Sequence, residues 1–82
     1  MLSQLRSAKS RAVGTKQVLR ALDQGIVSMA FVAKDADPFL TKRVMDACYA
    51  RNIQCLEAES AKALGEACGI DVSAAAAAIL RG

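Results

Sequence analysis

The sequence has no histidine and no tryptophan, and its aromatic residues are limited to Phe31, Phe39 and Tyr49. Without histidine the chain lacks the commonest general base and metal ligand near neutral pH. Cys48, Cys55 and Cys68 form an odd set with no closely spaced pair. That spacing argues against a zinc site or a disulfide framework; three reduced, mostly buried thiols in a cytoplasmic protein are expected instead. With aromatics at 4%, the core of this 54% hydrophobic chain has to be built from Val, Ile, Leu and Ala. Phe31 is expected inside it, which leaves too few rings for the base-stacking platforms of RRM or OB domains. The glycines form neither a P-loop nor a dinucleotide-binding fingerprint. The longest apolar run, Ala74 to Leu80, covers seven residues, well short of the ~20 that cross a bilayer. No basic start leads into an apolar stretch, so no export signal is read and no membrane partner is expected.

What is present is unevenly placed charge. Residues 1–20 hold Arg6, Lys9, Arg11, Lys16 and Arg20 and no acid; the other six bases and all eight acids follow. The two segments carry +5 and −2, which together make the net +3 of the chain. Such asymmetry fits an anionic partner approached by the N-terminal part, or a solvated basic face with no partner.

The 82 residues are read as one small domain, residues 1–82, near the lower size limit for folding on a single core. No linker or repeat interrupts them. Leu2, Leu5 and Ala8 at three-residue spacing predict a short helix over residues 2–10, and Arg11–Val13 a brief strand. From Thr15 to Gln24, Val18, Leu19, Ala21 and Leu22 fall on one helical face and Lys16, Gln17, Arg20 and Gln24 on the other, with Gly25 as the C-terminal stop. A buried strand is expected from Met29 to Ala33. Asp37 followed by Pro38 is an N-cap with proline at the first helical position, opening a helix to Arg51 that packs through Leu40, Val44, Ala47 and Cys48. A strand is expected over Ile53–Ala58. Ser60 starts a helix with Lys62 and Glu66 as an i,i+4 pair and Gly69 at its end. The run from Ala74 to Leu80 is ambiguous: alanine favours helix, whereas βα alternation and small residues favour a strand covered on both faces. The strand is the reading adopted. The sum is an α/β sandwich.

Catalysis has little material. Asp35 and Asp37 are a close carboxylate pair, but Asp37 already serves as a cap and no histidine can partner either. The cysteines show no activating neighbour, and neither metal nor cofactor is expected. Binding has more. The start of the second helix offers the unpaired N–H groups of its first turn beside Gly14, and Lys16, Gln17 and Arg20 span about 100° of arc above them. Gln17 can donate to and accept from a base edge, while Lys16 and Arg20 can reach phosphates or guanine acceptors. An ordinary solvated amphipathic helix carries the same residues, and on the pattern alone that is the commoner case.

The blocks GTKQVLRAL, VAKDADP and ALGEACGI, with an alanine-rich end, occur in the order and spacing of a known family over nearly the whole chain. In this they resemble the L-seven-Ae family of kink-turn RNA-binding ribosomal proteins, and among them the small bacterial YbxF-type members. The resemblance implies a three-layer α/β/α sandwich around a four-stranded mixed sheet. It also implies a non-enzymatic partner of structured RNA containing a kink-turn, a sharp bend with a bulge beside tandem sheared G·A pairs. The ribosome is a candidate setting, and a monomer is the simplest state.

By the same resemblance, Gly14, Thr15, Lys16, Gln17 and Arg20 meet the G·A pairs. Archaeal relatives usually carry Asn and Glu where this chain has Lys16 and Gln17, and Lys in place of Arg20, which shifts weight toward phosphate contacts. The loop Ile70, Asp71, Val72 and Ser73 is implied to cradle a base flipped out of the bulge, with a core role for Ile70 equally open. Asp37 is implied to touch that base as well as cap its helix. Lys9 and Arg11 are candidates only for steering the encounter. Two rivals remain at this point: a ribosome-associated protein held mainly by protein contacts with non-specific RNA affinity, and a small enzyme using Asp35 and Asp37.

Overall fold

The computed structural model describes residues 2–81. Eight elements alternate: α1 (Leu2–Ser7), β1 (Arg11–Val13), α2 (Thr15–Gln24), β2 (Val27–Ala33), α3 (Pro38–Ala50), β3 (Cys55–Ala58), α4 (Ala61–Ala67) and β4 (Ala76–Leu80). The strands form one mixed sheet in the order β1-β4-β2-β3. β4 runs antiparallel to both β1 and β2, and β2 runs parallel to β3. Because strand side chains alternate between faces, each strand feeds two cores. Ala30, Val32, Ala76 and Ala78 meet Val18, Leu22, Val44 and Cys48 of α2 and α3 on one face. Phe31, Ala33 and Ala77 meet Leu5 of α1 and Leu64 and Ala67 of α4 on the other. The expected three-layer sandwich and four-stranded mixed sheet are therefore present.

The alanine run resolves as strand. Ala76, Ala77 and Ala78 are wholly buried between β1 and β2, where pairing on both edges and helices on both faces outweigh alanine's preference of ~0.5 kcal/mol per residue for helix. The one large ring in the core, Phe31, lies opposite Ala77, so a small residue on the central strand makes room for a large one beside it.

Several boundaries differ from the sequence reading. α1 stops at Ser7 instead of Ser10, because the Ser10 carbonyl already accepts the Leu80 N–H at 3.0 Å and so belongs to the sheet. β2 begins at Val27, two residues before Met29, across a bulge. There the Ser28 hydroxyl donates to the Ile79 carbonyl at 3.1 Å. β3 begins at Cys55, not Ile53, since Asn52 (φ 56°) turns the chain before it can pair. Among the described residues the closed i,i+4 ion pair is Lys42–Asp46 at 2.7 Å, and Lys62 and Glu66 do not form one. No described helix is long and apolar enough to cross a membrane.

All three cysteines are free thiols; Cys48 and Cys68 are buried and Cys55 is half-buried. Burial pushes each thiol's pKa up, and with Cys48 beside it Cys55 rises to about 12. A thiol held protonated is a poor nucleophile.

Candidate nucleic-acid interface

Topology decides which segments meet. Since β4 runs against β1 and β2, and β3 runs with β2, the carboxyl ends of β1, β2 and β3 share one end of the sheet with the start of β4. The residues after β1 (Gly14), after β2 (Lys34 to Asp37) and before β4 (Ile70 to Ser73) therefore gather there. Backbone bonds stitch them together: Gly14 N–H donates to Ala76 O at 2.8 Å, and Ala33 N–H to Ala75 O at 2.9 Å. Lys34 N–H donates to Ala58 O at 2.9 Å. Segments remote in sequence are thus joined at one end of the sheet.

The first part of that surface is the start of α2. Gly14 ends the β1 ladder and turns the chain at φ 95°, ψ 149°, a conformation essentially reserved for glycine. Its carbonyl accepts the Val18 N–H at 3.0 Å, the first bond of the helix. Gly14 offers no side-chain cap, so helix geometry leaves the N–H groups of Thr15, Lys16 and Gln17 without an intrahelical partner. The Lys16, Gln17 and Arg20 side chains are all exposed on the face opposite buried Val18, Ala21 and Leu22. The macrodipole adds positive potential at the same point. One expectation narrows. Val13 N–H donates to Gln17 Oε1 at 3.3 Å, so the Gln17 oxygen is turned back toward the chain and its NH₂ group, a donor only, faces outward.

The second part is the loop Lys34–Asp37. Asp37 caps α3, accepting the Phe39 N–H at 2.9 Å through Oδ1, which leaves Oδ2 for another donor. Asp35 accepts the Ala61 N–H at 2.7 Å and so caps α4 from 26 residues away. The two carboxylates weighed for acid–base chemistry are thus both helix caps on the surface, which removes the ground for a catalytic pair.

The third part is the loop before β4. Ile70 packs partly into the α4-side core, whereas Val72 is 69% exposed, and Asp71 and Ser73 are exposed. Of the two roles left open for Ile70, the structure shows the core one, and Val72 is the apolar residue the loop exposes.

Other residues differ from or extend the sequence reading. The Arg11 guanidinium donates to the carbonyls of Leu5 (3.3 Å) and Ala67 (3.4 Å); it ties α1 to α4 instead of facing a partner. A groove between α2 and α3, lined by Thr15, Lys16, Leu19, Leu40 and Arg43, adjoins the α2 start and adds a cation that the sequence reading missed. Its signal was available: Arg43 follows Leu40 by three positions, on the stripe that faces α2.

The sequence profile of the family described as "Ribosomal protein L7Ae/L30e/S12e/Gadd45 family" matches residues 1–82. The chain is 46% identical over 74 residues to an "RNA-binding protein" of Geobacillus sp. (strain WCH70), covering 90% of each chain. It is 45% identical over 69 residues to "RNA-binding protein YbxF" of Geobacillus stearothermophilus, covering 84% of each. Among solved structures, the "Giardia lamblia 15.5kD RNA binding protein" superposes with a TM-score of 0.86 at 24% identity, over 99% of this chain and 68% of that one. At that identity the superposition speaks for the fold alone.

Proposed function

Because this chain belongs to the ribosomal protein L7Ae/L30e/S12e/Gadd45 family, we propose that it binds RNA, and that its RNA target is a kink-turn. The observation that carries this reading is the start of α2: first-turn N–H groups of Thr15, Lys16 and Gln17 with no side-chain cap from Gly14, and Lys16, Gln17 and Arg20 exposed on one face above them. Its relatives' names as RNA-binding proteins support the same partner class. A regular A-form helix keeps its base edges in a major groove too narrow for protein. A sharp bend opens that groove, and a helix tip can then reach the G·A pairs. The N–H groups and the two cations hold phosphate oxygens or guanine acceptors, while the outward Gln17 amide donates to a base acceptor. Across the same end of the sheet, Val72 gives an apolar surface to a base flipped from the bulge, and the second Asp37 oxygen accepts from its edge.

In this reading the protein does no chemistry. It binds the bent RNA and not the extended form, so binding moves the RNA's own folding equilibrium toward the bend. The candidate RNAs are cytoplasmic ones that contain such bends, ribosomal RNA or a riboswitch among them, and one copy of the chain suffices.

A titration of two RNAs tests the reading: one kink-turn with its sheared G·A pairs, and one in which those pairs are changed to Watson–Crick pairs. Specific recognition gives at least a roughly tenfold preference for the first, since each good base contact is worth about 1–3 kcal/mol. Equal, weak, salt-sensitive binding to both would leave only a non-specific affinity and overturn the proposal.

A further inference from the structure

The loop that presents Val72 is tied to α4 on both sides. Its first residue is tied to α4, where Ile70 N–H donates to Gly65 O at 3.2 Å, and at its far side Ala74 N–H donates to Ala61 O at 3.0 Å. Between these anchors the loop backbone lies directly on Gly65, which is buried inside α4. A Cβ built on Gly65 would overlap the Val72 carbonyl oxygen and sit 3.1 Å from the Val72 carbonyl carbon and 3.2 Å from Ser73 Cα. All three atoms are backbone, so no side-chain rotation relieves the overlap. Gly65 is not needed for its own conformation: it lies mid-helix, without the positive φ of Gly14, Gly25 and Gly69. In a seven-residue helix, glycine in place of alanine is locally unfavourable. What glycine supplies here is room for another backbone.

We infer that Gly65 is a positioning residue of the RNA site: it seats the Val72–Ser73 backbone on α4 and thereby sets where the base-cradling surface stands relative to the α2 start. Asp35 completes the device. Its bond to the Ala61 N–H fixes the start of α4 to the loop that carries Asp37, so α4 is a platform tied to both segments that face the flipped base. Neither residue touches RNA. The inference rests on the kink-turn reading above and adds which residues hold its second contact in place.

The test compares wild type with Gly65→Ala on a kink-turn RNA and on the same RNA made abasic at the bulged nucleotide. The wild type should bind the intact RNA more tightly. Gly65→Ala should weaken binding to the intact RNA by about tenfold and leave binding to the abasic RNA unchanged, because only the cradle has moved. A purely structural role would weaken both equally and would overturn the inference, as would unchanged binding to both. Should Gly65→Ala not fold by circular dichroism, the surface variant Asp35→Ala carries the test alone. It should lower affinity for the intact RNA severalfold and spare the abasic one, and equal binding of variant and wild type to intact RNA would sink the platform. Failure of the parent reading looks different: the wild type itself would not distinguish sheared G·A from Watson–Crick pairs. A wild type that prefers G·A pairs yet ignores the bulged base would remove the cradle, and with it the role given to Gly65.

Discussion

Three helices in this fold begin at the same end of the sheet, and they begin differently. α3 starts with Asp37, whose carboxylate takes the Phe39 N–H, followed by Pro38, which has no N–H to satisfy. α4 starts with Ser60, whose hydroxyl accepts the Ala63 N–H at 3.0 Å, while Asp35 takes the Ala61 N–H. α2 starts with Gly14, which has no side chain to offer. Two of these ends are closed internally by acceptors; the third is left to water or a ligand and is framed by cations. First-turn N–H groups need acceptors in every helix, so the difference is the one the proposed function builds on: at α2 the chain itself supplies no side-chain acceptor.

The comparison can be broken most forcefully at Gly14. Gly14→Ala forces a residue with a Cβ into φ 95°, ψ 149°, at a cost of ~1–3 kcal/mol. The urea midpoint should fall and RNA affinity should fall with it; an unchanged midpoint would mean that the turn relaxes and is not held for binding. Next in size is Arg20→Ala, expected to cost ~1–3 kcal/mol of RNA binding if the guanidinium pairs bidentately with a guanine. Its unfolding midpoint should stay within error of the parent, because the side chain is exposed. A variant that binds RNA as tightly as wild type at physiological salt would remove Arg20 from the site.

Asp37→Ala opens the α3 start and should cost about 1 kcal/mol of stability in the same urea titration. No change in midpoint would show that the carboxylate is not needed as a cap and that the contrast between α2 and α3 is only apparent. The smallest effect is expected from Lys16→Ala. If Lys16 meets a phosphate, the slope of log affinity against log salt should fall by about one unit while the preference for G·A pairs persists. An unchanged slope would place Lys16 outside the contact.

Much of this was legible from local pattern. The α2 stripe of Val18, Ala21 and Leu22, the Gly25 stop and the Asp37–Pro38 start are short-range features. Each depends on residues within one or two turns, and each appears in the structure. The start of α2 at 14–20 was legible as a binding candidate from its own residues; its specific role and the loop at 70–73 came from the resemblance, and their convergence follows from strand order. What stayed hidden was every device that joins distant segments. Asp35 looked like half of a carboxylate pair because its partner, Ala61 N–H, lies 26 residues away. Arg11 looked like free surface charge because its acceptors are the ends of two other elements. Gly65 read only as part of a family block, because the backbone it accommodates arrives from a loop.

Composition and periodicity thus determined the kind of molecule: a small α/β sandwich with an aliphatic core, a basic N-terminal segment and a glycine-started helix carrying Lys16, Gln17 and Arg20. The reason is that helix caps, amphipathic faces and charge clusters are encoded by neighbours in the chain. Tertiary structure overrode alanine's helical preference in Ala76–Leu80, where the sequence reading was ambiguous, and alone decided that α4 holds the Val72 loop. In each case the deciding partner is brought close by the fold, and pairing or steric exclusion between remote backbones outweighs local preference.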